Sequence, residues 1–321
     1  MVIPDKLIVT LSEWKGFGRK KIGAICSYLN SLDMGTIAEE EYFDIICEVY
    51  EEGLLKGLKE RPTRAAYEES KQSAEYILEA SRRQGIKIVS SCNVPGFPLK
   101  LVDTVNEEGR QDVPILLYYK GDLSTTAKPG VAIIGTRNPS PEGVEAARYV
   151  ADKFAKFGFN IVSGLALGCD TAAHEGAIAL SHHSTTAFVA HGLDMVYPKE
   201  NEGLFDRILE RGGLIMSEYP IGSGVDRYKL VARDRLQAGL ADATIVIQTG
   251  EHGGTMHAVR CTQKLGKPLY ALNYKKALSP EFIGGNEMLI KGGSAIPLSS
   301  ENLQSVICDL TDLCERKKGF I

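Results

Sequence analysis

The sequence predicts an α/β chain: an extended Rossmann-like, mostly parallel, doubly wound sheet with a small N-terminal helical domain of the helix-hairpin-helix (SAM-like) kind. Three observations predict it. Beyond Pro129 short β-branched runs alternate with helical patterns, which is how successive βαβ units are written. Before residue 85 the chain carries acidic helical segments without the Pro or Gly clusters of a long linker,. The length of 321 residues, with 44% hydrophobic and 24% charged side chains, suits one large domain and one smaller one,. The boundary expected is 1–85 for the helical domain and 86–321 for the Rossmann domain.

In order, LIVTLSEWKGFGRKK (residues 7–21) sets apolar residues before a Gly16-Phe17-Gly18 turn, and IGAICSYL resumes a helical pattern. In a helix-hairpin-helix two such glycines let the turn expose backbone N–H groups at a helix N-terminus, where the dipole favours a phosphate. Lys15, Arg19, Lys20 and Lys21 would supply charge; the plain alternative is a helical corner with a solvated lysine face. Helical segments follow at about 36–57 and 63–84. IKIVSS and PILLYYKGD read as edge strands around the Pro-rich turn NVPGFPLKL,. The alternating region then runs VAIIGT, a helix to about Phe157, FNIVSG, a helix through His174, TTAFVA, the helical NEGLFDRILERG, GLIMSE, ATIVIQT and PLYALNY. After Asn302 one short helix and the tail Arg316-Lys317-Lys318 remain.

Charge and cysteine usage exclude several classes. The formal net charge is −4, and Lys plus Arg do not exceed Asp plus Glu in either half. A protein that coats nucleic acid by bulk electrostatics is thereby excluded, so any DNA site must be local. The seven cysteines are scattered and form no C-x-x-C pair, as expected of reduced thiols and not of a disulfide framework or zinc site,. His182-His183 and His191 lack Cys or carboxylate partners at ligand spacing, so no metal and no cofactor is expected. No run approaches the ~18 apolar residues of a membrane span, and Asp5 and Lys6 interrupt the place of a signal-peptide core. A cytoplasmic protein with no membrane partner is the expectation.

In open α/β sheets ligands bind beyond the C-terminal ends of the strands. Three predicted strand ends are unusual. Gly135-Thr136-Arg137 combines close backbone approach, a hydroxyl and a phosphate-gripping guanidinium. Ser163-Gly164 opens a run of small residues ending at an N-cap-like Asp170; a Ser163–Asp170–His174 nucleophilic triad is disfavoured because no G-x-S-x-G elbow surrounds the serine. Gly253-Gly254-Thr255 enters a helix as an anion-binding nest would. A fourth feature is the basic helix start from Arg227 to Arg235 (RYKLVARDR), in which Arg233 and Arg235 flank Asp234; it reads as a phosphate clamp or as a solvated, salt-bridged helix. No complete G-x-G-x-x-G or G-x-x-x-x-G-K-S/T motif occurs, so nicotinamide redox chemistry and ATP hydrolysis lack support.

Together the ordered blocks FPLKL, PILLYYKGD, VAIIGTRNPSPEG, IVSGLALGCDTAAHEGAI, GLDMVYPKENEGLF, GLIMSEYP, VARDRLQAGLADATIVIQT and GGNEMLIKGGSAIP resemble the DNA-processing protein family, DprA (also called Smf), from residue 86 to about 298. The resemblance implies a Rossmann-type pocket for single-stranded DNA, a homodimer, transfer of DNA to a RecA-type recombinase during natural transformation, and no turnover. It assigns the pocket to Arg137, Ser163, Gly164, Lys199, Asn201, Arg233 and Arg235. Because only one short helix and the basic tail follow Asn302, the winged helix carried at the C-terminus by many relatives is expected to be absent. Departures are Asp234 where the family usually reads Asn, and Met256-His257 within the third glycine turn. These keep open a DprA-like sensor or antitoxin module with a toxin or effector partner and a DNA or nucleotide ligand. The Gly253-Gly254-Thr255 turn also resembles that of lysine-decarboxylase-like nucleotide phosphoribohydrolases, whose glutamate is replaced here by Met256-His257.

Overall fold

The computed structural model describes residues 2–32, 37–93, 96–179, 185–276 and 278–318. The His182-His183 pair lies outside them. The chain falls into two compact units, Met1–Phe97 with Pro114–Tyr118, and Pro98–Val113 with Tyr119–Ile321.

The smaller unit holds α1 (Asp5–Glu13), α2 (Arg19–Ser31), α3 (Tyr42–Glu51), α4 (Arg64–Arg83) and β1 (Lys87–Ser90). Its longest helix has clear start and stop signals. Thr63 accepts a hydrogen bond from Ala66 N, Arg82 and Arg83 occupy the last turn, and Gly85 at φ +66° lets Ile86 N reach back to Ser81 O,. The helix packs along α1 and buries Tyr67, Ala74 and Ile77. Between α1 and α2 the Trp14 and Phe17 rings stack with centroids 4.5 Å apart, around Gly16 at φ +90°. β2 (Leu116–Gly121) has its first three residues in this unit.

The larger unit alternates as its sequence predicts: β3 (Gly130–Ile134), α5 (Pro141–Lys156), β4 (Asn160–Ser163), α6 (Cys169–Ile178), β5 (Thr185–Val189), α7 (Glu202–Glu210), β6 (Leu214–Ser217), α8 (Arg227–Leu240), β7 (Ala243–Val246), α9 (Met256–Lys264), β8 (Leu269–Leu272), α10 (Pro280–Lys291), β9 (Ile296–Leu298) and α11 (Leu303–Lys318). The strands run parallel in the order β6-β5-β4-β3-β7-β8-β9. The chain therefore builds outward from β3 to β6, returns to the other side of β3 and builds outward again. That reversal makes a topological switch point beside β3 and β7, where the loops leaving the two strands part and open a crevice.

Period-two alternation assigns the helices to faces. Val131, Ile133, Ala243 and Ile245 point into one buried cluster with Val150 and Phe154 of α5, Ala173 of α6, and Val306, Ile307 and Leu310 of α11. Thr244, between two of those positions, points the other way and pairs its hydroxyl with Thr262 of α9 at 2.8 Å. α11 corrects one expectation. It runs through 16 residues and absorbs the basic tail, because Leu303, Val306, Ile307 and Leu310 recur at helical spacing and cover the sheet,.

Candidate nucleic-acid interface

A cleft of about 740 Å³ opens at the switch point, lined by the loops after β3 and β7 and by the first turns of α8 and α9. The G-T-R loop is held from two sides. Thr136 N donates to Gln248 O at 2.7 Å, and Cys169 N donates to Thr136 O at 3.2 Å. Gln248 also clamps the start of α5: its Oε1 accepts from Ser140 N and its Nε2 donates to Ser140 Oγ, both at 2.9 Å. Gly135 is required by packing, since a Cβ there would stand 2.5 Å from Cys169 Sγ. On this rigid loop Arg137 is exposed and has no partner among the described residues. Arg227, exposed at the start of α8 on the same cleft, is likewise unpaired among them.

Arg233 is a different kind of cation. Only 5% exposed, it donates through Nη1 to Gly164 O and, at 2.5 Å, to Phe188 O, and through Nε to Asp234 at 2.8 Å. A buried guanidinium needs such partners, and here they tie α8 to the ends of β4 and β5. Gly164 allows the approach, because a Cβ would lie 1.9 Å from Arg233 Nη1. Burial pushes the Asp234 carboxyl up to about 6, with the Asp170 charge adding and Arg233 opposing. Asp170 is raised mainly by burial as well. His257, which lines the cleft, is bonded through Nδ1 to Glu107, whose other carboxylate oxygen accepts from Arg260 Nε at 2.5 Å. Burial pushes the Glu107 carboxyl up, but Arg260 and His257 outweigh that and hold it below its ordinary value.

The glycine turn entering α9 leaves the amides of Gly254 and Thr255 without partners among the described residues, whereas Gly253 N donates to Gly250 O. With Arg137 and Arg227 these amides give the cleft donors for an anion. Asp170, Asp226 and Asp234 line the same cleft, so its charge is mixed.

Residues 94–308 match the family described as DNA recombination-mediator protein A. The chain belongs to that family. DNA processing protein DprA of Bacillus subtilis is 30% identical over 230 residues, covering 71% of this chain and 73% of that one. Protein Smf of Synechocystis is 35% identical over 194 residues, 59% of this chain but 48% of its own length. The chain thus spans about half the length of several curated relatives it matches. Among solved structures, DprA of Streptococcus pneumoniae superposes with a TM-score of 0.73 at 26% identity over 94% of this chain and 97% of that chain. DprA of Helicobacter pylori, whose structure is described as showing a single-stranded DNA binding mode, gives 0.60 at 32% identity over 71% and 96%.

In this recombination-mediator family member the fold sets some of the sequence-assigned residues on the cleft and others away from it. Gly135, Thr136, Arg137, Arg233, Gly253, Gly254 and Thr255 line the cleft, and Gly164 lines the recess beside it. Arg235 does not: its fork is filled by both Glu218 carboxylate oxygens at 2.6 Å, and its Nε lies 2.7 Å from Asp112. Ser163 is fully buried with its hydroxyl donating to Ile133 O, and His174 Nδ1 is taken by Thr185, so no Ser–His pair exists. Burial lowers His174 to about 3. Asn201 is buried and donates to Leu165 O and Thr171 Oγ1, positioning the loop after β4, whereas Lys199 is exposed outside the cleft lining. Asp170 corrects another expectation. The N-cap of α6 is Gly168, and the Asp170 carboxylate turns back to accept from Gly164 N at 3.1 Å and Ala166 N at 3.4 Å.

In the smaller unit Gly18 is the N-cap of α2 and Arg19 and Lys20 begin it, as a helix-hairpin-helix requires, while Lys21 Nζ donates to Gly16 O. Residues that sequence reasoning missed are Gln248, the clamp of the G-T-R loop, and Leu165, held at φ 57° beneath Asn201. The only sequence signal for Gln248 is a polar residue directly after an apolar strand. A non-glycine at positive φ leaves no sequence signal at all. Among the described residues no group of His, Cys, Asp and Glu could hold a metal ion, and no helix is long and apolar enough to cross a membrane.

Proposed function

We propose that this chain is a single-stranded DNA-binding protein that acts in DNA processing, uptake and RecA-linked recombination in the cytoplasm, by binding and not by turnover. The observation that carries the reading is Arg137: an exposed guanidinium on a clamped loop, without a partner among the described residues, at a switch-point cleft whose Gly254 and Thr255 amides are likewise without partners among them. Family membership and the single-stranded DNA binding described for the Helicobacter relative support it. The strand's phosphates lie along Arg137, Arg227 and the Gly254-Thr255 amides. Gly16, Gly18, Arg19 and Lys20 of the smaller unit form a second DNA contact. A second copy of the chain and a RecA-type recombinase are its partners.

The test is fluorescence anisotropy with a labelled oligothymidine and a duplex of equal length at several salt concentrations. The single strand binds more tightly, with an affinity that falls as salt rises. Arg137→Ala weakens binding about tenfold and lowers the salt slope by about one. Undiminished binding by that variant removes the cleft assignment.

A further inference from the structure

The part of the cleft lined by the middle of α8 is built for something other than phosphate. Asp234 and Gln237 stand about one turn apart on α8 and both line the cleft. Gln237 Nε2 donates to Asp234 Oδ1 at 3.0 Å, and Arg233 Nε donates to the same oxygen at 2.8 Å. That oxygen is saturated, while Oδ2 accepts no hydrogen bond among the described residues. Because the Gln237 amide spends its nitrogen on the carboxylate, its oxygen is left over; Oε1 is buried without a partner among the described residues, in a residue only 2% exposed. Two neighbouring side chains therefore hold two open acceptors.

Unfilled acceptors shielded from water are costly, and a ligand bringing N–H groups recovers that cost. A phosphate brings acceptors and a negative charge, so this wall repels it toward Arg137 and Arg227. Among nucleobases, adenine and cytosine offer one amino group beside a ring acceptor, and thymine offers one N–H between two carbonyls. Guanine alone presents two adjacent donors, N1–H and the N2 amino group, on its Watson–Crick edge, the edge by which splayed single-stranded bases are read.

We propose that Asp234 makes the cleft selective for guanine. Its Oδ2 accepts from one guanine donor and Gln237 Oε1 is the acceptor for the other, while the attached phosphate lies at Arg137. Gln237 also acts as a positioning residue, holding the carboxylate rotamer through Nε2. The inference rests on the nucleic-acid reading of the cleft.

The test uses the full chain and labelled oligothymidines carrying three isolated guanines, inosines or adenines, spaced so that no quadruplex forms. Guanine raises affinity about tenfold over adenine, and inosine, which lacks the N2 amino group, falls between them. Asp234→Asn, which puts an amide in place of the two carboxylate acceptors, brings the guanine-to-adenine ratio to about one. A second arm compares dGMP with dAMP by thermal shift of the wild-type chain. Single-stranded DNA bound with no preference among the three bases, and equal shifts by the two nucleotides, overturns the inference and leaves the DNA reading standing. A larger shift by dGMP with no DNA binding keeps the guanine site and removes the DNA reading. The wild-type comparisons decide the matter even where the variant does not fold.

Discussion

Replacing Asp234 by asparagine should change how the stability of the larger unit depends on pH. Burial and the nearby Asp170 raise the Asp234 carboxyl from its ordinary 3.8 to about 6, against the pull of Arg233. A shift of about two units corresponds to roughly 3 kcal/mol. Below pH ~4 the group is protonated in both the folded and unfolded chains, and nothing is lost. As pH climbs to about 6, the unfolded chain releases the proton first, and the folded state loses roughly those 3 kcal/mol. The asparagine amide of the variant has no proton to release. The Arg233 ion pair forms only with the ionised carboxylate, so its pull, like the push of Asp170, is already contained in that shift; the remaining difference between an amide and a protonated carboxyl displaces the variant's curve without changing its slope. The stability of the variant minus that of the wild type therefore rises by about 3 kcal/mol between pH 4 and pH 7.5, a large fraction of an ordinary domain's stability. Urea unfolding followed by circular dichroism at four pH values across that range measures it. A difference that stays flat with pH would refute the reasoning, because Asp234 would then titrate alike in both states.

Three further outcomes follow from the same geometry. Arg235→Ala should cost about 3 kcal/mol, since it removes the guanidinium held by both Glu218 carboxylate oxygens at 2.6 Å,, yet leave the salt slope of DNA binding unchanged; a slope reduced by one would make Arg235 a phosphate contact. Gly164→Ala drives a methyl group into Arg233 Nη1 and should cost roughly 1–3 kcal/mol together with DNA affinity, so an unaltered melting temperature would show that the clamp can move aside. Alanine at both Gly16 and Gly18 strains a turn held at φ +90° and should weaken DNA binding while the larger unit unfolds as before; unchanged affinity would leave the hairpin as scaffolding.

The larger unit's strands and helices were legible because each buried element imposes a local period. VAIIGT and ATIVIQT are dominated by β-branched and apolar residues, as suits central parallel strands buried on both faces, and the structure places them side by side as β3 and β7. α11 was underestimated because beyond Leu310 its apolar spacing thins among the exposed Asp312, Glu315 and Arg316.

By itself the sequence determined the alternating architecture, the family and the strand ends at which a ligand would be sought, since periodicity, glycine placement and motif order are all local properties. Only the tertiary structure distinguished cations that remain available from cations already spent. Arg137, Arg233 and Arg235 look equivalent in a linear reading, each beside polar or small neighbours. In the fold Arg137 has no partner among the described residues at the cleft, Arg233 reaches two carbonyls of other segments, Gly164 and Phe188, besides its neighbour Asp234, and Arg235 is filled by Glu218 and Asp112. Asp112 lies 123 positions away from Arg235 in the chain. A guanidinium's role is set by which acceptors surround it in space, and such acceptors come from segments whose meeting no local pattern encodes.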